Sequence, residues 1–161
     1  MKRYRLAAIL ALAVLAVLRL AGPAPAGEQA PFKGSFEGDV THTPIDANND
    51  SVLVEATGNA TRLGLFTLDI QHVVNRPTMT AVGTYEFTAA NGDKVYADFS
   101  GMASLTGIPG VLYVEEDAII TGGTGRFAGA TGSFTTERLY DRIAGTTVGS
   151  FEGIISVPDD D

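Results

Sequence analysis

Gly34-Ser35-Phe36-Glu37-Gly38 near the start of the chain returns as Gly149-Ser150-Phe151-Glu152-Gly153 near its end. The continuations match in kind, Asp39-Val40-Thr41 against Ile154-Ile155-Ser156. In both copies glycine and phenylalanine share one face, and Ser and Glu share the other. That period of two marks a half-buried strand. First and last strands with the same pattern can pair with each other, which leaves no free sheet edge. The expectation is an all-β fold, a closed antiparallel barrel of about eight strands, with a two-sheet sandwich as the alternative.

The chain between the copies supports this. Strand-like runs cover 32–42, 51–61, 65–75, 78–88, 94–105, 111–121, 130–140 and 145–157. They are rich in Thr, Val, Phe and Tyr, and turn signals separate them at close intervals. Asn91-Gly92 is the strongest of these signals, because Gly92 tolerates the positive φ of a tight hairpin. No run has the period of an amphipathic helix.

Residues 1–26 read as a secretory leader. Lys2, Arg3 and Arg5 precede an apolar run from Leu6 to Leu18, and Ala24-Pro25-Ala26 is an A-x-A cleavage site. The run stops at Arg19, short of the roughly 20 apolar residues of a spanning helix. The division is therefore a leader at 1–26, one barrel domain at 27–158 and an acidic tail at 159–161. The expected location is secreted, periplasmic or otherwise extracytoplasmic, with no stable membrane span after cleavage. The whole chain carries 11 Lys and Arg against 19 Asp and Glu. Loss of Lys2, Arg3, Arg5 and Arg19 leaves 7 against 19, a net charge of −12. Such a surface repels nucleic acid and anionic headgroups. The absence of cysteine excludes disulfides, a thiol nucleophile and thiolate metal sites.

Gly123-Thr124-Gly125-Arg126-Phe127-Ala128 fits G-x-G-x-x-A after a strand. A dinucleotide site requires a helix next. Thr131 to Thr136 alternates as a strand instead, so no nucleotide cofactor is expected. The segment reads as a barrel corner built from Gly122, Gly123, Gly125, Phe127 and Gly129, with Phe127 plugging the barrel end. Thr121 to Gly132 resembles the signature of small secreted bacterial proteins in the allene oxide cyclase–dirigent barrel superfamily. Ala60-Thr61-Arg62-Leu63-Gly64 and Ala90-Asn91-Gly92-Asp93 look like that group too. The resemblance runs over roughly 32–157 and implies an eight-stranded antiparallel barrel that forms homotrimers. Plant members cyclise an oxylipin epoxide or steer radical coupling. Outside the corner, no working residue of theirs matches a position here.

The remaining candidates come from the strand pattern. His72 is in phase with Phe66, Leu68 and Ile70. On an apolar face it is either a general acid or base or, more simply, a satisfied core histidine. His42 ends its strand and reads as exposed. Arg138 is in phase with Phe134 and Tyr140. Its face is read as pointing outward; pointing inward, it would need Glu86 or Glu116 as a buried partner. Glu115-Glu116-Asp117 alternates across a strand and reads as a charge run that suppresses aggregation. Asp46-Ala47-Asn48-Asn49-Asp50 has the spacing of a calcium loop's first half. It lacks the following glycine and the glutamate, and reads as a polar turn, with no metal expected. Three functions remain: binding of a small apolar ligand by a non-enzymatic barrel or structural module, a cofactor-free cyclase or isomerase using His72 and a carboxylate, and an oligomeric envelope protein working through its outer face.

Overall fold

The computed structural model describes residues 27–158. The leader and the acidic tail read from the sequence lie outside the described residues. Eight strands follow one another: β1 (Gln29–Pro44), β2 (Asn49–Ala60), β3 (Gly64–Asn75), β4 (Thr80–Ala89), β5 (Lys94–Leu105), β6 (Val111–Gly123), β7 (Thr131–Asp141) and β8 (Thr146–Ser156). Each pairs antiparallel with its neighbour in sequence, and β1 with β8, so the barrel is closed. β4 starts two residues later than the pattern predicts. Asn75 Oδ1 accepts from the Thr78 backbone N–H and hydroxyl, and Met79 sits at φ 57°, which holds a turn there.

Closure runs through the two repeats. Ser35 lies opposite Ser150, Gly34 opposite Phe151, and Phe36 opposite Gly149. Each phenylalanine thus faces a glycine across the seam. At this seam the glycine opposite leaves inward space for the ring, whereas elsewhere bulky residues face each other inside, as Leu68 does Phe87 and Ile70 does Tyr85. The sandwich alternative is set aside by this pairing.

The interior divides along the barrel axis. At the end formed by the β2–β3, β4–β5 and β6–β7 connections it is packed with aromatic rings. Phe151 sits 5.0 Å from Phe32 and 5.2 Å from Phe87, centroid to centroid, and Phe87 is 5.7 Å from Phe134. Each such ring contributes roughly 1.5–3 kcal/mol by leaving water. The glycine corner closes this end. After β6 the chain makes one 3-10 turn, Gly125–Phe127, with Gly125 at φ 55° and Gly129 at φ 71°. Those angles suit glycine and let the corner fold Phe127 back into the aromatic core, where it is 2% exposed. β7 follows directly, with no helix. Asp93 Oδ2 accepts from the Arg126 backbone N–H, tying the corner to the β4–β5 hairpin.

The plug generates a stability prediction. Phe127→Ala should cost about 3–5 kcal/mol in equilibrium urea unfolding, the range for emptying a buried aromatic site. A loss below about 1 kcal/mol would show that the corner does not seal the core.

Candidate functional site

The opposite end of the barrel is not filled. A cavity of about 510 Å³ opens among the β1–β2, β3–β4, β5–β6 and β7–β8 connections. Val52, Val74, Ala81, Ala103, Leu112 and Val114 supply much of its wall. Furrows also run along the outer wall, one of them past Ser35, Asn59, Leu65 and Val148, but they lie open to solvent.

The cavity floor is polar: Arg138 and His72 line it, and Glu116 holds Arg138 from behind. Glu116 on β6 is 0% exposed and Arg138 on β7 is 5% exposed. Arg138 Nη2 donates to Glu116 Oε1 at 2.8 Å, and Arg138 Nε donates to Oε2 at 3.2 Å. The Tyr85 hydroxyl on β4 also donates to Oε2. The pair is therefore two-pronged and further satisfied by a phenol, the arrangement that makes a buried ion pair tolerable. Burial pulls the Arg138 guanidinium pKa down, but the charge and hydrogen bonds of Glu116 outweigh it and the net direction is up. Tyr85 is held well above the ordinary phenol range, by burial first and by the Glu116 charge second. It stays a donor.

His72 on β3 is 6% exposed and packs edge-on against Phe99 at 5.7 Å. Its Nδ1 is buried with no hydrogen-bond partner. Burial, helped by the nearby Arg138 charge, lowers its pKa to about 4. The ring is neutral at pH 7.

These polar residues share a sequence device. His72 faces Gly83 across the β3–β4 pair, Glu116 faces Gly101 across β5–β6, and Arg138 faces Gly149 across β7–β8. A Cβ on Gly101 would lie 2.6 Å from Glu116 Cγ, and one on Gly149 would lie 2.5 Å from Arg138 Cβ. The glycines make the space in which long polar side chains bend into the barrel.

The structure corrects two readings. Arg138 points inward, because Phe134, Thr136 and Arg138 are the buried alternation of β7 and Glu116 stands within reach. Glu86 is not in the interior. It lies between inward Tyr85 and Phe87, so the pleat turns it to the outer wall, where it pairs with Lys94. Within Glu115-Glu116-Asp117 only Glu116 faces in; Glu115 and Asp117 are exposed. Asp46 acts within its own loop, where Oδ1 accepts from the backbone N–H of Asn48 and Asn49.

One cluster was missed. β1 pairs with β8 only as far as Asp39–Thr146 but continues to Pro44. Beyond that point side chains close the wall between β1 and β7. His42 stacks on Tyr140, with its Nε2 2.9 Å from the tyrosine hydroxyl. His42 Nδ1 lies 3.7 Å from Asp50 Oδ2, and Arg76 Nε lies 3.8 Å from Asp50 Oδ1. Burial raises the Tyr140 pKa. His42 is exposed, as its place at a strand end indicates; what the sequence did not show is that it meets Tyr140 and Asp50 there.

Solved structures with this architecture include two dirigent proteins. The pterocarpan synthase dirigent protein PsPTS1 superposes with a TM-score of 0.61 at 10% identity, covering 84% of this chain and 99% of that one. The pterocarpan synthase dirigent protein GePTS1 gives 0.57 at 14% identity, covering 84% and 88%. This likeness is one of fold. No protein-family model and no curated protein matches the chain.

Two predictions follow from the floor. Glu116→Ala or Arg138→Ala alone should cost about 3–5 kcal/mol in urea unfolding, because each strands a buried charge. Glu116→Gln with Arg138→Met should cost far less, since no charge remains and glutamine still accepts from Tyr85. Equal losses for single and double variants would contradict the pairing. His72 gives a pH dependence. Between its unfolded pKa of 6.5 and its folded value of about 4, the unfolded chain binds a proton that the folded chain refuses. Stability is therefore lost as pH falls through that window, by about 3 kcal/mol. Denaturant midpoints measured from pH 7 to 4 should fall more steeply for the native protein than for His72→Gln; parallel curves would refute the assignment.

Proposed function

We propose that this barrel binds a small, largely apolar molecule in the cavity at its β1–β2 end, outside the cytoplasm once the leader is removed. One observation carries the reading. The interior is filled by aromatics at one end and left open at the other, above a floor where the buried Arg138 charge is neutralised by Glu116. A barrel working only through its outer wall has no need of that division. Apolar walls with a few fixed polar groups are what small-molecule sites share. The dirigent-like fold is compatible with such a role.

The geometry favours binding over proton transfer. His72, with a pKa lowered to about 4, is a weak base at neutral pH. The Tyr85 proton is held by Glu116. A cofactor-free cyclase or isomerase is thus the second reading, supported by the neutral imidazole at the cavity wall. The homo-oligomer, a trimer by resemblance, would draw on exposed outer residues such as Leu65, Val82 and Ile119.

The neutral dye N-phenyl-1-naphthylamine should bind the protein at one site per chain, with a rise in fluorescence. Ala81→Trp, which fills the cavity, should weaken that binding by about tenfold or more. Unchanged binding in the filled variant would sink the proposal. Native mass spectrometry of the protein exported from the full chain should show a start at Gly27 and any ligand carried through purification.

A further inference from the structure

Arg138 is engaged on one side only. Its Nε and Nη2 both donate to Glu116, and Nη1 takes part in no hydrogen bond among the described residues. Nor is Nη1 sealed away. The buried side-chain nitrogens and oxygens without a partner are Asp50 Oδ1, His72 Nδ1 and Thr136 Oγ1, and Nη1 is not among them. It therefore opens on free space, and the free space beside Arg138 is the cavity. His72 Nε2 reaches the same space by the same reasoning.

We infer, on the reading that this cavity binds a small apolar molecule, that its floor recognises an uncharged oxygen acceptor, a carbonyl above all, at the leading end of the ligand. The floor offers a strong donor without a spare charge. Glu116 already neutralises Arg138, so a carboxylate brought down here would lose its hydration opposite a cation that is taken, with a like charge beside it. Neutral His72 adds no second cation. A ketone, aldehyde or ester oxygen loses less on leaving water and still accepts a charge-assisted bond from Nη1. A plain hydrocarbon would dry Nη1 and leave it unpaired.

Orientation belongs to the inference. Arg142 lines the cavity mouth and has no carboxylate partner among the described residues. An anionic ligand would settle with its charge at Arg142 and its apolar end inward. The carbonyl ligand enters the other way round.

The test uses the protein expressed from the full chain and three probes of one skeleton: 2-acetylnaphthalene, 2-ethylnaphthalene and 2-naphthoate. Dissociation constants come from NMR shift titrations. The acetyl compound should bind about tenfold more tightly than the ethyl compound, the worth of one hydrogen bond from a charged donor. It should also bind more tightly than naphthoate. Glu116→Gln with Arg138→Met should bind the acetyl and ethyl compounds equally. Arg138→Lys, which keeps a cation beside Glu116 but has no second nitrogen to turn outward, should lose the preference as well. The inference is overturned if the native protein binds acetyl and ethyl alike, if either variant keeps the preference, or if naphthoate binds tightest. Failure of all three probes to bind would overturn the cavity reading itself, a distinct result.

Discussion

The carboxylate of Glu116 sits inside a barrel with no solvent in contact with it, held by Arg138 from the next strand on one flank and by Tyr85 from two strands away on the other. Neither charge is tolerable alone in that place. Because the three groups come from β4, β6 and β7, their mutual satisfaction fixes how those strands stand around the axis. It also sets a level within the barrel. Below it the interior is hydrocarbon and aromatic ring, and above it the interior is open.

That level divides the barrel into two unlike halves. The aromatic half contributes the burial that holds a cysteine-free domain together, and the glycine corner seals it with Phe127. The cavity half gives up some of that burial to keep a space. Polar groups beside the space are arranged so that little charge is free: Arg138 is paired, His72 is neutral, and His42, Tyr140, Asp50 and Arg76 lean on one another along the wall. A floor so balanced suits a neutral ligand and suits acid–base catalysis less well. The glycine-rich corner, whose spacing imitates a phosphate loop, lies at the far end from this site.

Much of the fold was legible because a strand writes its burial in every second residue. Phe32 to Val40, Phe66 to His72 and Val95 to Ala103 showed which residues share a face, and the paired Gly-Ser-Phe-Glu-Gly segments pointed to closure. The site was legible only in pieces. His72 and Glu116 were visible as polar residues in strand register, but Glu86 is in equally good register and lies outside. Alternation states which residues share a face and not which face is inside. Arg138 illustrates the difficulty: its charge argued for solvent, and only the position of Glu116 one strand away reverses that. The cross-strand glycines, Gly83, Gly101 and Gly149, were a usable sign, but they acquire meaning only once the register is known.

The sequence by itself determined the all-β class, a count of about eight strands and their antiparallel order, and it pointed to closure, because each depends on local pattern or on a repeat that the chain carries openly. The tertiary structure alone decided which face is interior, that Arg138 and Glu116 meet, that His42 reaches Tyr140 past the end of β8, and that one end of the barrel stays open. Those are distances between residues far apart in the chain. They follow from barrel tilt and register, which are set by all eight strands together and written in none of them singly.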